Sequence, residues 1–169
     1  MFSSESVMRP NCPADFTREI ALPAPITGEV VRITEFADEL IKYGFKGEGC
    51  LMLVSGNSIY APVAGMITLC PTLGYEIAMK ASNGLKVNIK VGAHTHLLMG
   101  EKWLAKVKVG QKVEAGELLA QFNPLFLKQN DITTHCAVTI TNSDKLKGIV
   151  LSSHRYCVAN EDTLMHLYI

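Results

Sequence analysis

An all-β sandwich or barrel built from two similar halves, joined by a few short helices, is the fold this 169-residue sequence predicts, on three observations. Short apolar runs bounded by Gly, Pro, Asn, Asp or Ser recur along the chain: GEVVRI, CLMLVS, SIYAPV, GMITLC, YEIAMKA, LKVNIKV, KVEAGELLAQF, HCAVTIT and TLMHLYI. An internal repeat, APITGEVVRI from Ala24 and APVAGMITLC from Ala61, shares A-P-x-x-G-x-[VI]. Helical periodicity is scarce.

Each half of the repeat enters on a proline that fixes an extended backbone, and its glycine is read as a tight turn or bulge before the strand. A third element, VKVGQKVEAGELLAQF from Val107, sets Gly110 and Gly116 at turns around a strand at Val113. Connecting helices are expected at 35–43, 124–128 and 143–150, the last capped by Ser143 or Asp144. In GLKVNIKVGAHTH, 84–96, Val87, Ile89 and Val91 alternate with Asn88, Lys90 and Gly92, so one face is apolar and the other carries Lys90.

Composition excludes several classes. Lys plus Arg equals Asp plus Glu at 16 each with no dense basic run, which argues against nucleic acid as a partner. Hydrophobic residues make up 48%, yet the uncharged runs are cut by Gly, Pro, Ser and Asn before reaching the roughly 20 residues of a membrane-spanning helix. The opening MFSSESVMRPNCPADF lacks a basic start and an apolar core, so a cytoplasmic location is expected. Cys12, Cys50, Cys70, Cys136 and Cys157 are odd in number and never spaced as CxxC, a pattern of reduced thiols. No metal or other cofactor is expected.

Three β families that begin with AP..G offer different chemistry. Lys80 in EIAMKAS is similar to the modified lysine of biotinyl or lipoyl carrier domains, but there the VGQ.V..G..L hairpin comes before the lysine and here it follows. Residues 61–119 are similar to LytM-type zinc peptidases, and His94 and His96 in AHTH give a His-x-His. The upstream H-x-x-x-D that completes that site has no counterpart, since no histidine precedes His94.

The third resemblance runs over 18–169. APITGEVVRI, GEGCLMLVSGNSIYAPVAGMI, VGQKVEAGELLAQFN and AVTITNSDKL stand in the order and spacing of the glucose-type enzyme IIA domain of the bacterial phosphoenolpyruvate:sugar phosphotransferase system. The resemblance implies an antiparallel β-sandwich preceded by a flexible N-terminal arm, 1–17. It also implies a phosphoryl carrier that takes phosphate from HPr and passes it to the IIB domain of a sugar permease. Within 84–96, Gly84, Val87, Ile89, Val91, Gly92 and Thr95 match the family pattern that leads to H-x-G-x-x-T.

Lys90 stands where that pattern has its phosphorylated histidine. The second histidine, in a T-x-H-A stretch fifteen residues earlier, is replaced by Tyr75, and Leu73 stands at the threonine. An ammonium with an ordinary pKa near 10.4 offers no lone pair at neutral pH, and a tyrosine ester is a poor phosphoryl donor. A binding or regulatory module without histidine phosphotransfer is therefore expected, with Leu73, Tyr75 and Lys90 presented together at one shallow site and Lys90, Tyr75, His94 and His96 as the binding residues. His94 or His96 acting as substitute acceptor is the alternative.

Overall fold

The computed structural model describes residues 5–169, and strands dominate it. They are β1 (Glu19–Pro23), β2 (Gly28–Val31), β3 (Glu48–Val54), β4 (Ser58–Tyr60), β5 (Gly65–Leu69), β6 (Glu76–Ala81) and β7 (Lys86–Val91), followed by β8 (Trp103–Ala105), β9 (Lys112–Val113), β10 (Leu118–Phe122), β11 (His135–Ile140), β12 (Gly148–Leu151), β13 (Tyr156–Cys157) and β14 (Thr163–Tyr168). Two short helices, α1 (Glu39–Lys42) and α2 (Pro124–Gln129), connect them. No described helix is long and apolar enough to cross a membrane.

An eight-stranded sheet runs β13-β2-β3-β11-β7-β6-β5-β9, and two three-stranded sheets run β1-β14-β12 and β4-β10-β8. All strand pairings within them are antiparallel. The alternation read in 84–96 holds: Val87, Ile89 and Val91 are buried in the main core with Ile77 and Met79 of β6. A second, smaller core of Phe36, Ile41, Leu51 and Ala137 lies on the opposite face, where α1 and the turn before it cover the sheet.

The repeat places β2 and β5 near opposite ends of the large sheet. Its glycines are there for a reason other than a turn. Neither has a positive φ, and a Cβ on Gly28 would lie 2.4 Å from the Leu53 carbonyl oxygen, one on Gly65 2.3 Å from that of Lys80. Each lets neighbouring backbone approach; the bulge in β5 comes later, between Ile67 and Leu69.

Helix expectations fare unevenly. Segment 124–128 is α2, capped by Asn123, whose side chain accepts from the Phe126 N–H. Segment 35–43 breaks in two: a 3-10 turn ends at Glu35, Phe36 is extended, and Asp38 then caps α1. In 143–150 only Ser143–Lys145 forms a 3-10 turn, without a side-chain cap, and the Gly-Ile-Val-Leu that follows is drawn into β12 beside β14.

Of the arm expected over 1–17, residues 1–4 lie outside the described residues. Beyond them the chain runs against the sandwich. Val7 is buried, its N–H donates to Glu48 Oε2 at 2.6 Å, the Ile149 N–H donates to its carbonyl, and the Arg9 N–H donates to Ile149 O. Phe16 meets Tyr168 edge-on at 4.9 Å.

Candidate functional site

Register across the large sheet aligns Leu51, Ala137, Lys90 and Glu76 on four successive strands, β3, β11, β7 and β6. Paired residues of antiparallel strands point to the same side, so these four share the outer face. Phe36 and Ile41 pack with Leu51 and Ala137. Lys90 therefore emerges at the margin of a small apolar cap, and its ammonium turns back onto it.

The partner is Asp38: Lys90 Nζ lies 2.5 Å from Asp38 Oδ2, with side chains 23% and 15% exposed. The other carboxylate oxygen accepts the N–H groups of Leu40 (3.0 Å) and Ile41 (3.4 Å), capping α1. Burial alone would raise the Asp38 pKa, but Lys90 and these two N–H groups outweigh it and hold the carboxyl below its usual range. One aspartate thus ties α1 to β7.

A cleft of about 480 Å³ opens beside the pair, lined by Lys90, Asp38, Glu39, Leu40, His94 and His96. The backbone turns sharply after β7, with positive φ at Gly92 (70°) and His94 (61°). A Cβ at Gly92 would lie 2.6 Å from Thr95 Cγ2, while the Thr95 hydroxyl donates to the Val91 carbonyl and pins the turn. Both imidazoles are exposed, with ring centroids 6.1 Å apart. Among the described residues, no group of three or more His, Cys, Asp or Glu is placed to hold a metal ion.

Tyr75 does not join this cleft. Its own φ of 67°, after Gly74 at 74°, accompanies a ring that is fully buried against Trp103 (5.0 Å) and Phe122 (6.5 Å). The phenol donates to the Glu101 carbonyl at 2.6 Å, and burial with the nearby Glu101 raises its pKa to about 12. Its ring belongs to the main core, and its carbonyl accepts from the Val91 N–H of β7. Leu73 is half-exposed and does not line the cleft either. The place opposite Lys90 belongs to Glu76, which accepts a hydrogen bond from Asn88 Nδ2 at 3.2 Å.

Sequence reasoning missed His135 as well. Its carbonyl accepts from the Gly92 N–H, and its ring meets Phe36 edge-on at 6.3 Å. An adjoining cleft of about 430 Å³ is lined by His135, His94, Glu35, Asn130 and Thr133 among others. Partial burial holds its pKa below the ordinary 6.5 against the opposing pull of Glu35. Thus His94 borders both clefts. Period-2 reading of HCAVTIT puts His135 on the same face as Ala137, but only the register with β7 brings that face to Lys90.

Comparison with known proteins assigns the class. The model of the phosphoenolpyruvate-dependent sugar phosphotransferase system, EIIA 1, matches residues 20–146, so the chain belongs to that family. The match spans the segment that carried the resemblances to carrier domains and zinc peptidases. A glucose-specific EIIA component of Staphylococcus aureus strain Mu50 is 29% identical over 144 residues, which is 85% of this chain and 87% of the relative. The glucose-specific EIIBCA component of Corynebacterium glutamicum is 28% identical over 131 residues, 78% of this chain but 19% of that longer protein. Glucose permease IIA from Mycoplasma capricolum has the same fold, with a TM-score of 0.78 at 19% identity over 89% of this chain and 96% of that one.

Proposed function

We propose that this EIIA chain acts by binding partner proteins and does not carry phosphate on a histidine at the family position. The observation behind it is the Lys90–Asp38 ion pair: the side chain at the place of the family's phosphohistidine is an ammonium already committed to a carboxylate. Phosphoryl transfer needs a lone pair in line with the incoming phosphorus, and a paired ammonium has none. Asp38 and Glu39, lining the same cleft, would repel an incoming phosphoryl group.

HPr and the IIB domain of a sugar permease are the partners this reading names, through the family. Leu40 and Leu97, each more than half exposed, rim the two clefts and supply apolar contact of the kind a protein partner covers. A second reading, a carrier using a neighbouring imidazole, is favoured by one observation: His94 borders both clefts, with His96 in one and His135 in the other.

Incubation with phosphoenolpyruvate, enzyme I and HPr separates the two. The binding reading expects no acid-labile phosphate on the wild-type chain, and HPr or a IIB domain retained in a titration followed by amide shifts. Stoichiometric acid-labile phosphate that disappears on His94→Gln, His96→Gln or His135→Gln would establish the carrier instead.

A further inference from the structure

The face that carries Lys90 continues toward the far edge of the sheet, and the register there sets lysines side by side. Lys86 on β7 is opposite Lys80 on β6, Lys80 is opposite Met66 on β5, and Met66 is opposite Lys112 on β9. All four side chains are exposed. Three ammonium groups and one thioether thus form a straight row across four strands, about 14 Å long at the usual strand spacing.

This row is unbalanced. None of its lysines makes an ion pair with a described residue, and Lys80 faces Lys86 directly, a cross-strand arrangement that opposes pairing. Glu114 is the one carboxylate in the groove of about 570 Å³ that Lys80, Met66 and Lys112 line. Protection of a sheet edge accounts for Lys112 on the outermost strand. It does not account for Lys80 and Lys86, whose strands are paired on both sides. The chain as a whole has equal numbers of each sign, so the cluster is a local choice.

We propose that this row is a docking surface for an acidic segment of a partner protein. Charge complementarity selects the occupant. One phosphate could engage Lys80 and Lys86 but could not also reach Lys112, three strand spacings from Lys86. Three lysines with a single exposed methionine also fall short of the roughly four to eight basic residues of a lipid-binding cluster. Carboxylates on one face of an extended segment repeat about every 7 Å, a spacing that lets two or three of them reach the row together. The surface is distinct from the Lys90 cleft and independent of whether that cleft carries phosphate.

The test is a titration of isotope-labelled protein with hexaglutamate at low salt, read from backbone amide shifts. Saturable shifts confined to β5, β6, β7 and β9, weakened about tenfold by raising salt past the screening range, are expected. Lys80→Glu should weaken the peptide at least about tenfold and at the same time raise Tm by about 2 °C, because the new carboxylate faces Lys86. Lys80→Gln should fall between. Shifts spread evenly over the surface, an unchanged affinity in Lys80→Glu, or a lowered Tm in both folded variants would overturn the proposal. So would phosphatidylglycerol vesicles or inorganic phosphate binding the row when the peptide does not.

Discussion

Tyr75 and Lys90 are fifteen residues apart, the Tyr75 carbonyl accepts from the N–H of Val91 next to Lys90, and the two side chains go to different places. A period-2 reading puts Lys90 outward correctly, because β7 is regular. The expectation that Tyr75 joins Lys90 comes from the resemblance alone, and positive φ at Gly74 and Tyr75 is a backbone state that no alternation reveals. Asp38 was equally hidden: its role as a helix cap is local, but its meeting with Lys90 spans 52 residues. Tyr75→Phe should cost about 1 kcal/mol, the usual worth of one buried hydrogen bond, visible as a lower Tm, and leave phosphate uptake and HPr binding unchanged. A change in either function would return Tyr75 to the site. His135 supplies a pH test. Burial depresses its pKa, so the stability it contributes is complete above 6.5 and declines as pH falls below that, where the unfolded chain binds the proton first. His135→Gln should flatten the Tm profile just below pH 6.5; a profile that keeps its slope would contradict the burial of the ring. Asp38 obeys the same sign at lower pH, its contribution fading only below 3.8.

At the level of elements, the nine apolar runs read from the sequence all contain strands, and four described strands lie outside them: β1, where Leu22 is the one buried residue of five, and β8, β12 and β13. β8 and β13 have three and two residues, too few to show a period. β12 was taken into a helix because Ser143 and Asp144 carry a capping signature, which the paired edge of β14 overrides. The repeat was legible, its cause less so. Gly28 and Gly65 hold equivalent places, each with a neighbouring strand's carbonyl where a side chain would stand. Gly65→Ala should therefore destabilise by about 1–3 kcal/mol through overpacking, and Gly28→Ala similarly. Gly84→Ala is the useful contrast: no atom lies within 4 Å of its added Cβ, so its cost is one of backbone conformation at φ 91° alone. Equal packing defects at all three positions would show that close approach is not what the repeat encodes.

For the molecule as a whole, run spacing is enough to give a sandwich or barrel, since alternating faces must be buried against another layer, and the resemblance to enzyme IIA implies the sandwich. Spacing cannot say which strands become neighbours, because pairing joins residues far apart in the chain. The extreme case is β1, whose Glu19 is paired with Tyr168 of β14, while the Thr17 and Arg18 N–H groups donate to Ile169 O. On the ribosome the first strand must wait, its hydrogen-bonding edge open, until the last has left the exit tunnel. Closing a loop of that length costs entropy, which delays this pairing relative to local ones. Until then β1 is the part of the newborn chain most exposed to pairing with a stranger.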